Sequence, residues 1–452
     1  MPFTKSVWSK VETLPRERIE EIQLIRLQRM VKFAYDHSPF YRRLYEEAGV
    51  TPMDIHELKD ISKLPTVDKT MVDAVQRENP IFGDLLTTSR DLVKFWTTTG
   101  TTGPSRLWAY TREDWENVSY LYARGLYGAG VRPGDRFMIC ANYPPALGPW
   151  GCGYGIEYLG ALPIPSGGWD TKKRVQNLLD WGVTGFRATP SYTLHMADVA
   201  EEMGLNLKER SQVRVIASVG EPLAAVPATK RLIEEKWQAN VSDMVGMTEV
   251  GGPVMFVCQE ATREEMPAAH LNEDYFLIEV LNPETGEVLG PGQEGELCIT
   301  SLLLYGMPGI RYRTKDVVRV PEVDFCPCGR TTMRIRGAIK GRTSDMLVVK
   351  GINVYTSTLE NLVRALPNLN REFQVVLRTR GRFDEIVLRV EPMPHIAQEA
   401  YPNLARTLVD KVKSAVGITV AVETVPPGTI SGLGEQGVIL KSKRVIDERE
   451  KQ

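Results

Sequence analysis

Apolar residues near the start of the chain recur at helical spacing. They are Ile19, Ile22, Ile25, Met30 and Phe33. The spacing predicts an amphipathic helix over residues 17–33 that packs one face on a core. Further along, the β-rich runs RFMICANY (136–143) and VRVIASVG (213–220) alternate with helical segments such as KKRVQNLLDWG and PATKRLIEEKW. This alternation predicts an α/β fold with mainly parallel strands.

The pattern changes after about residue 340. The runs DMLVVKG, EFQVVLRT, EIVLRVEP and VAVETV are typical of short strands, and TSTLENLVRAL and NLARTLVDKVKSAV are typical of helices between them. Such a mixture indicates a small α+β domain with its own core. We therefore predict a large N-terminal domain over residues 1–340, a hinge at 341–345 and a smaller, mobile C-terminal domain over 346–452.

Length and charge agree with this organisation and narrow the ligand class. At 452 residues the chain is long enough for two or three domains. Its 55 basic and 57 acidic residues give a net charge of -2, so no strong field attracts nucleic acid or an anionic membrane. No run approaches the roughly 20 apolar residues of a membrane span. We expect a cytoplasmic protein with a small-molecule partner.

The stretch FWTTTGTTGPSRLW (95–108) is rich in glycine and threonine. Its backbone N–H groups and hydroxyls suit a polyphosphate, because glycine lets the backbone approach and threonine adds donors. A plain polar turn is the alternative. The stretch lacks the GKS or GKT ending of a P-loop, which disfavours that mechanism.

Further motifs follow this stretch in order: SVGEPL (218–223), DMVGMTEVGG (243–252), RYRTKD (311–316) and IKGRTSDMLVVKGINVY (339–355). With YGAGVRPGDR, PSGG and TPSYTLHMA, the series resembles the adenylate-forming superfamily, and within it the phenylacetate–CoA ligase branch. The resemblance covers nearly the whole chain. It implies a two-step reaction in which a carboxylate attacks the α-phosphate of ATP to give acyl-AMP and pyrophosphate, after which the thiol of CoA displaces AMP.

The resemblance also implies roles for residues around the nucleotide. The β- and γ-phosphates would be wrapped by Thr98, Thr99, Gly100, Thr101, Thr102 and Gly103. Thr248 would bond the α-phosphate, and Glu249 would hold magnesium. The other nucleotide contacts would be Gly220, Glu221 and Pro222 at adenine, Asp316 at the ribose hydroxyls, and Arg342. Two alternatives stay open: Thr248 and Glu249 as a helix N-cap pair, and Asp316 as an ion-pair partner of Arg313 or Arg319.

The small domain of the family supplies a lysine for adenylation, and the segment LKSKRVID (440–447) resembles the closing motif that carries it. Lys441 is the first candidate and Lys443 the reserve. The small domain would then rotate about a hinge residue, Ser344 or Asp345, and bring VKGINVY (349–355) to the CoA tunnel.

The chain departs from the family pattern at two further positions. Pro104 follows the phosphate loop where a lysine is usual, so Arg106 is the nearest cation. Val245 stands where an aromatic residue commonly stacks on adenine. The missing lysine, together with extra residues in the closing segment SGLGEQGVILKSK (431–443), keeps a non-catalytic nucleotide-binding regulator open as a rival class, beside an adenylyltransferase that needs no CoA.

Six cysteines in so long a chain do not make a disulfide scaffold, so clustered cysteines are weighed as metal ligands. Cys326 and Cys328 form a CxC pair in VDFCPCGR. By resemblance, Cys258 and His270 would complete a closed, structural Cys3His zinc site. The alternative makes Cys258 a small buried apolar residue and His270 a satisfied polar one.

The acid-binding pocket of this branch maps onto NYPPALGPWGCGYG, PSGGWD and VGMTEVGG. Its candidate wall residues are Tyr143, Pro144, Ala146, Trp150, Trp169 and Met247. These mostly apolar and aromatic side chains suit an acid with an apolar body. We expect an AMP-forming acid–CoA ligase acting on an aryl or arylacetic acid, with a short branched or hydroxy acid as the alternative, and a homodimer as the assembly.

Overall fold

The computed structural model describes residues 4–88, 91–98, 106–343, 346–349, 352–380, 383–430 and 444–449. The predicted phosphate-loop residues Thr99 to Gly103, the hinge candidates Ser344 and Asp345, and the lysines Lys441 and Lys443 lie outside these ranges. Within them, no helix has both the length and the apolar character needed to cross a membrane.

Eleven α-helices lie in the described ranges. They are α1 Arg16–His37, α2 Pro39–Glu47, α3 Lys69–Glu78, α4 Arg112–Ala129, α5 Leu147–Leu159, α6 Thr171–Asp180, α7 Pro190–Glu202, α8 Leu207–Arg210, α9 Pro227–Trp237, α10 Thr356–Arg364 and α11 Tyr401–Val416. The predicted N-terminal helix is confirmed as α1. Its buried positions include Ile19, Gln23, Leu27 and Met30, whereas Ile25 is 43% exposed.

Twenty β-strands accompany them. They are β1 Leu92–Thr98, β2 Arg106–Thr111, β3 Arg136–Ile139, β4 Leu162–Pro165, β5 Gly185–Ala188, β6 Val215–Ser218, β7 Asn240–Met247, β8 Gly252–Phe256, β9 Ala268–Leu271, β10 Phe276–Leu281, β11 Glu294–Ser301, β12 Tyr312–Arg319, β13 Arg334–Arg336, β14 Gly341–Arg342, β15 Met346–Val349, β16 Ile352–Tyr355, β17 Leu369–Arg380, β18 Phe383–Pro392, β19 Ala421–Thr424 and β20 Val445–Asp447.

The central sheet of the large domain has eight strands in the order β13-β9-β8-β7-β6-β5-β3-β4. The five strands from β7 to β4 pair in parallel, as the alternating sequence predicts. The remaining three, β8, β9 and β13, are added antiparallel. A second sheet, β10-β11-β12-β14, is antiparallel throughout. The α/β class is thus confirmed, with a larger antiparallel share than the sequence suggested.

Successive residues of the parallel strands point to opposite faces of the sheet, so the large domain has a core on each side. Phe137 and Ile139 of β3 pack in the first core, with α4 and α5. Met138 of the same strand packs in the second core, with α6 and α7. On β5, Phe186 and Ala188 face this second core, which directs Arg187 between them toward α4 and α5.

The small domain is a four-stranded sheet in the order β19-β18-β17-β20, covered by α10 and α11. A third core, which includes Leu347, Phe373 and Leu408, holds it together. The first core extends as far as Ala338. The exact boundary at 340–346 stays a prediction.

The two domains contact each other through α9 and α10. The backbone N–H of Ala228 donates to Asn361 Oδ1 at 3.0 Å, and Arg364 donates to Thr229 Oγ1 at 2.6 Å. An ion pair of 2.6 Å joins Arg371 to Asp198 of α7. These polar contacts are typical of an interface that forms and separates.

Candidate active site

A cavity of about 680 Å³ opens beyond the carboxyl ends of the parallel strands, where the small domain covers the large one. Ligands of α/β sheets usually bind at this edge. From the large domain it is lined by the loops after β6 and β7, the start of α5, and Asp316 of β12. From the small domain it is lined by Thr356, Ser357 and Glu360 of α10, with Arg444 and Val445. Both domains therefore build one site.

The predicted adenine segment, Gly220 to Pro222, lines the cavity directly after β6. Gly220 adopts φ +81°, which favours glycine. The Glu221 carboxylate accepts hydrogen bonds from the backbone N–H and the hydroxyl of Ser191, at 3.1 and 2.8 Å. These bonds fix the turn against α7.

Asp243 of β7 anchors the same loop, and the sequence analysis missed it. Its carboxylate accepts hydrogen bonds from the backbone N–H groups of Ala224 at 3.0 Å and Leu223 at 3.3 Å. Burial raises the pKa of Asp243 from 3.8 to about 6, although these backbone donors oppose the shift. The available signal was a carboxylate in the middle of the strand NVSDMVGM, between the buried residues Ser242 and Met244.

Thr248 and Glu249 line the cavity in the turn between β7 and β8. No helix begins there, so the N-cap alternative is wrong. The Tyr110 hydroxyl donates to the backbone carbonyl of Thr248 and holds this turn. Burial raises the pKa of the half-buried Glu249, Asp316 reinforces the shift, and the charges of Arg106 and Arg342 oppose it.

Asp316 lies opposite Arg342 in the register of β12 and β14, with Arg342 Nε 3.4 Å from Asp316 Oδ1. The alternative partners have other contacts: Arg313 donates to Glu296, and Arg319 lies 3.9 Å from Glu322. The structure thus brings the predicted ribose carboxylate and Arg342 together on one wall of the cavity.

Of the predicted phosphate loop, Thr98 is described, and it lines the cavity beside Thr97. Arg106, proposed to replace the missing lysine, is buried and ion-paired with Asp73, with Nη2 2.7 Å from Oδ2. Its charge is therefore shared with a protein carboxylate rather than held free for phosphate.

The predicted acid-binding wall needs correction. Ala146 and Met247 line the cavity, but Tyr143, Pro144, Trp150 and Trp169 do not. The Trp150 ring packs edge-to-face on Tyr143, with centroids 5.1 Å apart, and its Nε1 donates to Pro144 O. Trp169 packs on Trp181. Sequence spacing does not reveal these ring contacts, which occupy the side chains of Tyr143, Trp150 and Trp169.

Other residues occupy that wall. They are Tyr122 of α4, Leu147 and Gly148 of α5, Arg187 of β5 and Pro253 of β8. Arg187 is a cation where the sequence analysis expected apolar side chains. The charged residue inside the buried strand GFRA was the signal that could have found it.

All four predicted zinc ligands meet in the large domain. Cys258 follows β8, His270 lies on β9, and Cys326 and Cys328 lie in the loop before β13. Their ligand atoms lie within 4.8 Å of one another and all four residues are buried. The Sγ atoms of Cys258 and Cys326 are 3.6 Å apart, and Cys328 Sγ is 3.4 Å from His270 Nε2.

These separations fit a tetrahedral zinc ion, which would set S···S at about 3.8 Å and S···N at about 3.5 Å. The second ring nitrogen of His270 lies 3.2 Å from Thr332 Oγ1, a contact that orients the imidazole. The structure thus brings together a Cys3His cluster whose donor set and spacing fit zinc. Packing of a small apolar cysteine alone does not account for four converging donors.

Two family models match the chain: "AMP-binding enzyme" over residues 57–306 and "AMP-binding enzyme C-terminal domain" over residues 351–449. Among curated proteins, the chain is 33% identical to the phenylacetate-coenzyme A ligase of Thermus thermophilus, covering 97% of this chain and 99% of that protein. It is 32% identical to the enzyme of the same name from Escherichia coli, covering 95% of each.

Among solved structures, 2-hydroxyisobutyryl-CoA ligase in the postadenylation state, in complex with 2-HIB-AMP, matches with a TM-score of 0.90 and 29% identity over 99% of this chain and 93% of that one. The same ligase in the thioesterification state, with 2-HIB-AMP and CoA, matches over the same shares with a TM-score of 0.72. The domain arrangement here is therefore more similar to the postadenylation state. The chain belongs to the adenylate-forming superfamily of AMP-binding enzymes, in its phenylacetate–CoA ligase-like branch, and is an acid–thiol ligase.

Proposed function

We propose that this chain activates a carboxylic acid with ATP and transfers the acyl group to CoA, releasing AMP and pyrophosphate through an acyl-adenylate. The observation that carries the proposal is the convergence of Gly220 to Pro222, Thr248, Glu249 and Asp316 on one cavity that both domains line. These residues come from separate segments of the chain. Their meeting supports a nucleotide site with a neighbouring acid site.

In the first step, the chain brings an acid carboxylate and the α-phosphate together. Asp316 accepts from the ribose hydroxyls, the loop after β6 holds adenine, and Thr248 and Thr98 donate hydrogen bonds to phosphate oxygens. Glu249 would hold magnesium, which neutralises phosphate charge when bound. The burial that raises the pKa of Glu249 supports such a role, because a carboxylate withdrawn from water is stabilised by a bound cation.

In the second step, the small domain changes its position about the segment 341–345 and exposes the acyl-adenylate to the thiol of CoA. The polar contacts between α9 and α10 support a separable interface. Lys441 remains the proposed adenylation lysine and rests on the resemblance, because it lies outside the described residues.

The Cys3His cluster is proposed to hold a structural zinc ion. With four protein ligands it has no open position for substrate, so its effect on catalysis is indirect. It ties the strand that follows the Glu249 turn to the loop before β13. The net charge of -2 supports a small-molecule partner rather than nucleic acid or an anionic membrane, and the cytoplasmic location stays a prediction. A homodimer stays a prediction.

For the acid, an aryl or arylacetic acid is the first class to test, since the curated relatives are named for phenylacetate. Pyrophosphate release is measured with ATP and magnesium across a panel of acids, each with and without CoA. Turnover that requires CoA and yields the acyl-CoA supports the proposal. Release independent of CoA would favour adenylyl transfer, and ATP binding without release for any acid would favour a regulator.

A further inference from the structure

Arg187 lines the cavity beside the start of α5, which belongs to the segment that the resemblance assigns to the acid. A Cβ atom placed on Gly148 would be 2.7 Å from Arg187 Nη2 and 3.9 Å from Tyr122 Oη. The guanidinium therefore rests on the backbone at the start of α5, where glycine leaves room for it. This contact fixes the cation on the wall formed by α4 and α5.

No described carboxylate lies within ion-pair distance of Arg187, and its buried Nε has no hydrogen-bond partner there. Burial raises the pKa of four nearby polar groups and the charge of Arg187 opposes the rise, and all four stay neutral near pH 7. They are Tyr122, Tyr143, Cys140 and Cys152. Arg187 is half-buried, and a cation withdrawn from water without an anion is unfavourable. The positive charge of Arg187 therefore suits a ligand that carries an anionic group.

Several buried arginines of this chain have carboxylate partners, whereas the buried Arg174 donates to Ser166 O and the Tyr192 hydroxyl instead. Ion pairs join Arg124 to Asp274 at 2.6 Å, Arg311 to Glu279 at 2.8 Å and Arg330 to Glu12 at 2.6 Å. Arg106 is paired with Asp73. Arg187 lines the cavity and makes no ion pair with a described carboxylate.

The start of α5 also favours an anion beside Arg187. The helix α5 begins at the wall that Arg187 touches, and its N-cap residue Ala146 provides no side-chain hydrogen bond. The first N–H groups of this 13-residue helix add positive potential beside the guanidinium.

We propose that the acid this chain activates carries a second carboxylate on its acyl portion, and that Arg187 binds it. The inference rests on the proposed ligase function and names its substrate class. The planar guanidinium suits a carboxylate because two parallel N–H groups donate to its two oxygens. A substrate with an uncharged acyl body would leave Arg187 unpaired.

The test compares matched acids. Phenylacetate is paired with its 2-, 3- and 4-carboxy derivatives, and isobutyrate with methylmalonate. Values of kcat/KM come from pyrophosphate release at saturating ATP, magnesium and CoA. We expect at least one dicarboxylic acid to exceed its parent by about 10- to 100-fold, the range of a charge-assisted hydrogen bond. Arg187→Met, similar in length but uncharged, should abolish or reverse that preference, and Arg187→Lys should retain part of it.

The surface variant Arg18→Met is the control and should keep the wild-type preference. The KM values for ATP and CoA should not change in Arg187→Met, because Arg187 is assigned to the acyl portion. An unchanged acid preference in Arg187→Met, a wild-type preference for the uncharged parents, or an effect confined to ATP or CoA would each overturn the inference.

Failure of the proposed ligase function can be distinguished from failure of the inference about Arg187. If wild-type protein releases no pyrophosphate with any acid, the proposed function is wrong, and binding of the same acids is measured by calorimetry. Dicarboxylate binding that Arg187→Met abolishes would still support the inference. Equal binding by both proteins, or no binding by either, would overturn it.

Discussion

The pH dependence of stability should reveal the buried carboxylate of Asp243, whose exposure is 5%. Its pKa rises from 3.8 to about 6 in the folded protein. Each pKa unit is worth 1.36 kcal/mol, so the ionised carboxylate costs about 3 kcal/mol of folding free energy. Because the folded pKa is raised, the protonated form stabilises the fold. This contribution is complete below pH 3.8 and is lost as pH rises through about 6.

Asp243→Asn removes this titration while the amide oxygen can still accept from the backbone N–H groups of Leu223 and Ala224. The free energy of unfolding is measured by urea titration at pH 7 and pH 4.5 for both proteins. When the pH is lowered from 7 to 4.5, the free energy of unfolding of wild type should rise by about 2 kcal/mol relative to that of Asp243→Asn. The reason is that about 1.5 pKa units lie between pH 4.5 and the pKa of Asp243 in the folded protein.

The difference in the free energy of unfolding between wild type and Asp243→Asn cancels the contribution of the other titrating groups. The surface variant Asp180→Asn should follow wild type at both pH values. Parallel curves for wild type and Asp243→Asn would refute the raised pKa, and a gain by Asp243→Asn at low pH would refute its sign.

Further predictions concern the nucleotide, the lysine and the cluster. Glu249→Ala should lower the rate of acyl-adenylate formation by about 10²-fold or more, measured as pyrophosphate release, and near-normal turnover would contradict the assigned role. Lys441→Ala should impair adenylation but leave CoA thioester formation from supplied acyl-AMP largely intact. The same phenotype in Lys443→Ala instead would show that the alignment at the C-terminus is wrong. Cys326→Ser should reduce zinc, measured by atomic absorption, from about one ion per chain, whereas Cys152→Ser should retain it. Equal metal content in both variants would exclude the cluster as the zinc site.

The order of motifs along the chain was enough to predict the superfamily, the α/β class and the presence of a smaller C-terminal domain. It also led to the four residues of the Cys3His cluster, although Cys258 and Cys326 are 68 positions apart. The nucleotide motifs converge because loops at the carboxyl ends of parallel strands meet at one edge of the sheet. The residues of the cluster instead meet through the antiparallel strands β8, β9 and β13.

The tertiary structure decided which side chains form the acid-binding wall. Sequence spacing shows that Arg187 alternates with Phe186 and Ala188 on β5, but not that α5 offers a glycine under its guanidinium. Nor does it show that Trp150 packs on Tyr143 or that Asp243 anchors the loop after β6. The physical reason is that strand periodicity fixes a face, whereas pocket composition depends on which distant helix packs on that face.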